Sequence, residues 1–295
     1  MKIEVLKNKI ILDNVDNFIP KDVVECGQLF RWKKEDDDSY TIIAHGRVIN
    51  ISSTTSKRIE IDNCNLDDFN NIWKNYFDLN TNYSNIIEKL STDDVMKTST
   101  EFGKGIRILN QDNFEMMISF MISANNRIPM IQKVISNLSN SFGKYIGNYR
   151  GEEYFSFPTL DEFSEVTVDD IKNCKAGFRS ERIKEACDRL LNNPDELEKL
   201  YSIDKMDYVL ALDFLKSYKG IGNKVANCVL LFAGNNTSAF PVDVWVRRIM
   251  QFYYPLDDKS DKLIEKFADE KFGDLSGYAQ QYLFYYAREN GLNKK

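Results

Sequence analysis

Histidine is almost absent from this sequence, since His45 is the only one in 295 residues. A histidine-rich metal site is therefore excluded, as is a Ser-His-Asp triad around any other histidine. The five cysteines are odd in number and scattered, which favours free, buried thiols over a disulfide framework or a Cys-x-x-Cys metal site. The sequence also lacks an apolar run of about 18 residues and a signal-peptide pattern. We therefore expect a cytoplasmic protein, nucleoid-associated if bacterial, with no membrane partner.

A basic surplus is missing as well. The chain has 39 lysines and arginines against 45 aspartates and glutamates, for a formal net charge of −6. DNA-binding proteins usually show the opposite balance, so the charge counts against a nucleic-acid partner. Binding needs only one local face, however, and acidic runs such as residues 35–38 can lie far from it. Specific motifs have to decide the question.

The order of secondary-structure patterns predicts an α+β fold. Short segments rich in β-branched and aromatic residues predict strands at 9–12, 30–32, 40–45, 47–52 and 57–61. Asn65 is a plausible cap for the helix that follows, and the Asn-rich stretch 147–151 indicates a loop. Helical patterns occupy 114–123, 129–138, 180–191, 197–200, 208–215, 225–232, 242–252, 263–272 and 278–289. We predict an antiparallel sheet domain with flanking helices over residues 1–100, packed on a larger all-helical domain over residues 101–295.

The most informative segment joins two apolar helices through Lys219-Gly220-Ile221-Gly222. The two glycines let the backbone turn sharply and approach another backbone closely. Free N–H groups at the start of the second helix then form an anion site, assisted by the helix dipole. A DNA phosphate fits such a site without any basic side chain. The alternative is a tight helix connection without a ligand, because Gly-x-Gly alone is common.

Two charged side chains near this turn are candidate catalytic residues. Lys224 falls in the first turn of the second helix, where the dipole and partial burial both disfavour an ammonium ion. The first turn of a helix favours acidic side chains, and a residue that departs from such a local preference is often functional. Asp243 follows a proline at the start of a later helix. One antiparallel pair of helices between the two positions can bring its carboxylate back to the Gly-Ile-Gly turn. The alternatives are a solvated lysine and a simple helix cap.

The residues around both positions resemble the signature of the 8-oxoguanine DNA glycosylase/AP lyase family of the helix-hairpin-helix (HhH-GPD) superfamily. The core of the match is Lys-Gly-Ile-Gly-Asn-Lys-Val-Ala at 219–226 together with Pro-Val-Asp-Val at 241–244. Further segments are similar to the family's motifs: Gly-Gln-Leu-Phe-Arg-Trp at 27–32, Ser-Phe-Met-Ile-Ser-Ala-Asn-Asn at 119–126, Gly-Phe-Arg-Ser-Glu-Arg at 177–182 and Tyr-Ala-Gln-Gln-Tyr-Leu-Phe at 278–284. They occur in the family's order and cover most of the chain.

The resemblance implies a reaction at a base that has been flipped out of the duplex. The amine of Lys224 would attack C1′ of the nucleotide and displace the base, and a Schiff base with the opened sugar would then undergo β-elimination. Asp243 would assist by proton transfer and by stabilising positive charge at the sugar. No metal or organic cofactor is needed. Sister enzymes hold an iron-sulfur cluster on four closely spaced C-terminal cysteines, and because none follows Cys228 we expect no cluster.

The resemblance also implies a base pocket. The backbone carbonyl of Gly27 would accept a hydrogen bond from N7–H of 8-oxoguanine, whereas N7 of guanine carries a lone pair that the same carbonyl repels. Gln280 would bond the polar edge of the base. Phe284 and Cys228 would contact its two faces.

Further matched positions would contact the DNA around the pocket. Asn125 would fill the gap left by the flipped base, Phe178 would wedge into the stack and Arg179 would bond the orphaned partner base. Without the resemblance, these side chains are ordinary turn, core and surface residues. The implied partner is double-stranded DNA containing 8-oxoguanine, bound by a monomer.

Two departures from the family pattern concern DNA contacts. Met130 stands where many members have an arginine that helps to read an opposite cytosine. Because methionine cannot donate those hydrogen bonds, we predict a relaxed opposite-base preference. Trp245 stands where many members have a histidine near a phosphate, and its indole donates one bond but cannot titrate.

Two other classes of function remain open at this stage. A monofunctional alkyl-base glycosylase would keep the aspartate and the hairpin but lack the lysine, so Lys224 counts against it. A non-catalytic DNA-binding module would need the hairpin but neither Lys224 nor Asp243.

Overall fold

A computed structural model describes residues 1–55, 57–254, 256 and 260–291. Within these residues, six antiparallel strands form a sheet in the order β1-β2-β6-β5-β4-β3. The strands are β1 (Lys2–Leu6), β2 (Lys9–Asp13), β3 (Trp32–Lys34), β4 (Tyr40–Ala44), β5 (Arg47–Thr55) and β6 (Arg58–Asp62), and a separate hairpin consists of β7 (Tyr145–Tyr149) and β8 (Glu152–Phe155). The predicted N-terminal antiparallel sheet is confirmed.

The sheet forms where the sequence alternates apolar and polar residues. In β6, Ile59 and Ile61 are buried between partly exposed neighbours. The turn between β4 and β5 consists of His45 and Gly46, with φ angles of 49° and 66°. Two successive left-handed residues match the twist of a tight hairpin.

Helices form most of the rest of the described fold and confirm the predicted α+β class. The first group is α1 (Pro20–Glu25), α2 (Leu66–Asp68), α3 (Lys74–Tyr76), α4 (Tyr83–Leu90), α5 (Asp94–Phe102), α6 (Asn113–Ser123), α7 (Ile128–Phe142), α8 (Leu160–Phe163) and α9 (Val168–Asn173). The second is α10 (Ser180–Asn192), α11 (Pro194–Tyr201), α12 (Tyr208–Lys216), α13 (Asn223–Phe232), α14 (Val244–Tyr253), α15 (Asp261–Phe272) and α16 (Ser276–Asn290). Each helix predicted after residue 100 has a counterpart, and the side chain of Asn65 caps α2.

The predicted loop at 147–151 is wrong, because its first three residues belong to β7. The hydroxyl of Tyr149 donates to Asp62 at 2.7 Å, and Arg150 donates to Asp37 at 3.1 Å. The hairpin therefore packs on the N-terminal sheet, whose residues lie about a hundred positions away. Pairing over such a distance leaves no local periodicity in the sequence.

Two hydrophobic clusters hold the described fold together. The smaller cluster fills the space between the sheet and the helical segment that includes Phe69, Trp73 and Phe77. The larger cluster is built by the helices and includes buried side chains from residues 83–108. The boundary near residue 100 stays a prediction, since core packing does not change there. Within the described residues, no helix is long and apolar enough to cross a membrane.

Candidate DNA-binding and catalytic site

The turn between α12 and α13 has the geometry of an anion site. Gly220 adopts a φ of +94°, and a Cβ there would lie 2.7 Å from Cδ of Arg182, so both conformation and space call for glycine. Gly222 is the N-cap of α13, and no described side chain caps this helix. It is exposed, with open space where a Cβ would point. The first N–H groups of α13 are thus available to an anion.

Lys224 lies on the second residue of α13, as expected, and is half-buried. Its Nζ is 5.2 Å from the centroid of the Phe120 ring in α6. One turn along α13, burial raises the pKa of the Cys228 thiol, while the charge and hydrogen bond of Lys224 oppose that rise. Lys224 is therefore held between an aromatic face and a thiol.

Asp243 is the N-cap of α14, so the expected cap is observed. One carboxylate oxygen, Oδ1, accepts a hydrogen bond from the backbone N–H of Val246 at 2.8 Å. Its negative charge is near enough to contribute to the raised pKa of Cys228. The structure therefore brings Lys224, Cys228 and Asp243 into one region.

Of the residues expected at the base pocket, Gln280 and Phe284 lie on α16 and Gly27 lies on the loop after α1, whereas Cys228 lies on α13. Gly27 has a φ of +92°, and a Cβ there would be 3.0 Å from Cε1 of Phe284. Gln280 is one turn away from Phe284 on the same helix and is 5% exposed. Its amide oxygen has no hydrogen-bond partner among the described residues. A buried acceptor of this kind is suited to a ligand donor.

A helix crossing brings this group towards α13. A Cβ on Gly277 of α16 would be only 2.3 Å from Cδ1 of Leu231 in α13. Cys228 and Gln280 each lie about one turn from that crossing. At this point α16, which carries Gln280 and Phe284, packs against α13, which carries Lys224 and Cys228.

Three residues expected to contact DNA are neighbours around the loop after α6. Phe178 is 59% exposed, and the guanidinium of Arg179 lies 4.4 Å from the centroid of its ring. Arg179 donates to the carbonyl oxygens of Ala124 at 2.9 Å and of Asn125 at 3.0 Å. Burial lowers the pKa of Arg179. In this structure the guanidinium holds the loop, and its contact with an orphaned base stays a prediction.

Met130 and Trp245 each lie in the first turn of a helix. Met130 is 42% exposed in the first turn of α7. Trp245 is half-buried in the first turn of α14, with the guanidinium of Arg248 5.6 Å from its ring centroid. Both positions are accessible to a ligand, and their DNA contacts stay predictions.

The five cysteines are all free and buried, as expected. Among the described residues, no three His, Cys, Asp or Glu side chains are grouped as metal ligands.

Sequence reasoning missed a carboxylate behind the hairpin. Glu265 of α15 accepts a hydrogen bond from the side-chain amide of Asn223, the residue before Lys224. Burial and the nearby charge of Asp261 raise the pKa of Glu265 to about 7. The backbone carbonyl of Asn223 in turn accepts from Asn227 at 3.0 Å. The first turn of α13 is therefore fixed from α15, through a contact that spans 42 residues of sequence.

We expect Glu265→Gln to make the protein more stable above pH 7 by on the order of 1 kcal/mol, allowing for solvent screening. The folded protein holds a proton on Glu265 between the ordinary pKa of 4.5 and about 7, and the unfolded chain does not. Stability therefore falls as pH rises through this window, and glutamine cannot lose a proton. Denaturant unfolding at about pH 5 and about pH 8 checks the difference.

Glu270→Gln is the matched control, because Glu270 lies on the same helix in an exposed ion pair with Lys266. It should leave the pH dependence of unfolding as in the wild type. If the free-energy difference between the Glu265→Gln variant and the wild type is the same at both pH values, Glu265 does not titrate in this window.

Known proteins share both the sequence motifs and the fold of this chain. Residues 10–117 match the family model of the 8-oxoguanine DNA glycosylase N-terminal domain, and residues 118–273 match that of the HhH-GPD superfamily of base excision DNA repair proteins. An 8-oxoguanine glycosylase/lyase from Clostridium acetobutylicum, solved with double-stranded DNA containing cytosine opposite 8-oxoG, has a similar structure. Its TM-score is 0.94 at 45% identity, with 98% of each chain covered.

Curated relatives match over shorter stretches. The probable N-glycosylase/DNA lyase of Methanothermobacter thermautotrophicus is 32% identical over 209 residues, which are 64% of this chain and 65% of the relative. The N-glycosylase/DNA lyase of Arabidopsis thaliana is 33% identical over 205 residues, which are 65% of this chain and 56% of the relative. The match thus spans less than two thirds of either relative. The resemblance noted in the sequence is confirmed: the chain belongs to the HhH-GPD superfamily of base excision DNA repair proteins and carries the N-terminal domain of its 8-oxoguanine DNA glycosylases.

Proposed function

We propose that this protein is a bifunctional DNA repair glycosylase that excises 8-oxoguanine from duplex DNA and then nicks the strand. The observation that carries the proposal is the placement of Lys224 two residues after the Gly-Ile-Gly turn, in one region with Cys228 and Asp243. An amine nucleophile beside a phosphate-binding turn is what a glycosylase/lyase needs. The likeness to a glycosylase/lyase from C. acetobutylicum over 98% of the chain supports it.

In the proposed complex, backbone N–H groups bind a DNA phosphate. The exposed N-cap at Gly222 leaves the first N–H groups of α13 for a phosphate, and the helix dipole adds to the attraction. This arrangement allows a chain with a net charge of −6 to bind DNA at one face.

Lys224 acts as the nucleophile in the proposed reaction. Its Nζ forms a bond to C1′ as the bond from C1′ to the base breaks, and the electron pair leaves with the base, which takes up a proton. Opening of the sugar ring gives a Schiff base. Loss of a proton from C2′ then expels the 3′ phosphate and nicks the strand. Asp243, with Oδ1 engaged by the helix cap, stabilises the positive charge that develops at the sugar.

The proposed base pocket offers two hydrogen-bond acceptors. The carbonyl oxygen of Gly27 accepts a hydrogen bond from N7–H of the lesion. The unpaired amide oxygen of Gln280 accepts one from a donor on the other edge of the base. Leaving a buried amide oxygen unsatisfied costs about 1–3 kcal/mol, which a bound base would recover. Phe284 offers an aromatic face, and Cys228 lies on the other side.

The exposed residues near the loop after α6 complete the proposed interface. Phe178 has an exposed ring suited to wedging between bases, and Asn125 is exposed at the tip of the loop. Arg179 holds this loop and contacts the orphaned base once the DNA is bound. Trp245 donates its indole N–H to a phosphate.

The position of Met130 predicts that excision depends little on the base opposite the lesion. We expect Met130→Arg to raise the preference for cytosine by about tenfold, since arginine supplies donors that methionine lacks. The measurement is kcat/KM for excision from four duplexes that differ only in the opposite base. Met130→Leu is the control and should leave the preference unchanged. Strict dependence on cytosine in the wild type would contradict the prediction.

Borohydride trapping on a duplex with a single 8-oxoguanine tests the proposed function. A covalent adduct on this duplex, and none on the same duplex with guanine, is the expected result. Base release that leaves an alkali-labile site without an adduct would indicate a monofunctional glycosylase instead. Binding without either product would leave a DNA-binding module.

A further inference from the structure

Two side chains of α16 hold the backbone just before Gly27. The amide of Gln281 donates to the carbonyl oxygen of Cys26 at 2.7 Å. The guanidinium of Arg288 donates to the carbonyl oxygen of Glu25. Gln281 is 1% exposed, so its hydrogen bond is shielded from water. The last turn of α1 is therefore anchored to the helix that also carries the predicted base contacts.

The backbone just after Gly27 is held from another direction. The carbonyl oxygen of Gln28 accepts from the side-chain amide of Gln111 at 2.9 Å. The side chain of Gln28 is itself buried, donating to the carbonyl of Arg107 at 2.7 Å and accepting from the N–H of Leu109 at 2.9 Å. The peptide planes on both sides of the Gly27 carbonyl are thus fixed.

Gly27 is the exception in this segment. Side-chain donors engage the carbonyls of Glu25, Cys26 and Gln28, whereas no donor from the described residues reaches the carbonyl of Gly27. Peptide groups are planar, so fixing the planes on either side restricts the direction of the carbonyl between them. An unpaired carbonyl held in one direction is suited to reading a donor on a ligand.

We propose that Gln281 is a positioning residue for lesion discrimination: through the Cys26 carbonyl, it fixes the direction in which the Gly27 carbonyl meets the flipped base. This inference rests on the proposed function. A carbonyl that turned away would neither accept N7–H of 8-oxoguanine nor repel the lone pair on N7 of guanine. Loss of the Gln281 bond therefore lowers the affinity for the lesion relative to the normal base.

The test measures binding by the full-length protein in which Lys224→Gln prevents turnover. Dissociation constants are determined for three duplexes, which contain 8-oxoguanine, guanine or a tetrahydrofuran abasic analogue at one position. Adding Gln281→Leu should reduce the preference for 8-oxoguanine over guanine by about tenfold, the effect of about one hydrogen bond. Affinity for the abasic duplex, which has no base to read, should change by less than about twofold. A merely structural role would weaken all three complexes alike.

Tyr282→Phe is the matched control, because Tyr282 follows Gln281 on α16 and its buried hydroxyl has no hydrogen-bond partner among the described residues. It should preserve the preference. Arg288→Met removes the neighbouring anchor at a more exposed position and should reduce the preference for 8-oxoguanine over guanine by about threefold. If the Gln281→Leu protein does not fold, this variant tests whether anchoring the backbone before Gly27 controls that preference.

An unchanged preference in folded Gln281→Leu protein would overturn the inference, as would an equal loss of affinity for the abasic duplex. A Lys224→Gln parent that does not distinguish 8-oxoguanine from guanine would overturn the proposed function itself. The two failures are distinguishable because the second appears before Gln281 is changed.

Discussion

Lys224→Gln protein should give no borohydride adduct, and its rate of strand nicking should fall by about 10³-fold or more. Glutamine keeps much of the length of lysine and still donates a hydrogen bond towards Cys228, but its amide nitrogen is not a nucleophile. The fold should be unaffected, since Lys224 is half-buried and does not belong to the hydrophobic clusters. Trapping and single-turnover nicking on one 8-oxoguanine duplex measure both effects.

Lys219→Gln is the matched control for this experiment. Lys219 lies in the same hairpin, but its side chain is 67% exposed and paired with Glu185 at 3.3 Å. Adduct formation should persist in this variant. An adduct in Lys224→Gln protein at the wild-type level would mean that another amine attacks the sugar.

Asp243→Asn should lower the rate of base release by about 10²- to 10⁴-fold while leaving stability nearly unchanged. Asparagine caps a helix about as well as aspartate, so the bond to the N–H of Val246 survives. Its neutral amide no longer stabilises positive charge at the sugar. Asp243→Ala should lose the same activity and in addition about 1 kcal/mol of unfolding free energy. Single-turnover base release and denaturant unfolding separate the two roles.

Asp207→Asn provides the control, because Asp207 caps α12 through its own carboxylate and lies at the opposite end of the first hairpin helix. Neither activity nor stability should change appreciably. If Asp243→Asn releases the base at the wild-type rate and only the alanine variant is slow, the aspartate acts through its cap and the proposed chemical role is wrong.

Local patterns in the sequence predict most of the fold. The left-handed turn at Gly46, the cap at Asn65 and the apolar periodicity of α6 each depend on neighbours within a few residues. β1 was not predicted, because its side chains are all exposed and show no alternation of burial. The sequence predicts a loop at 147–151, where the end of β7 and its turn lie, because this hairpin is stabilised by a distant sheet.

In the candidate site, too, residues in local motifs are predictable from the sequence, whereas contacts between distant residues are not. Lys224 and Asp243 stand in short motifs, so the sequence marks them as candidates through local pattern and family resemblance. The contacts that position them or the Gly27 segment could not, because the bonds made by Glu265, Gln281 and Arg288 join residues 42, 255 and 263 positions apart. A glutamate, glutamine or arginine within a helix carries no local sign of a partner that far away.

The loop after α6 bears on the thermodynamics of binding. Asn125 is in the left-handed region with a φ of 51°, and Arg179 holds its carbonyl together with that of Ala124. Fixing the backbone of one residue costs about 1–2 kcal/mol of conformational entropy, and here the loss occurs when the chain folds. A loop that is ordered beforehand adds little entropic penalty to association. The free energy released on binding DNA is then available for opening the duplex instead of ordering the protein.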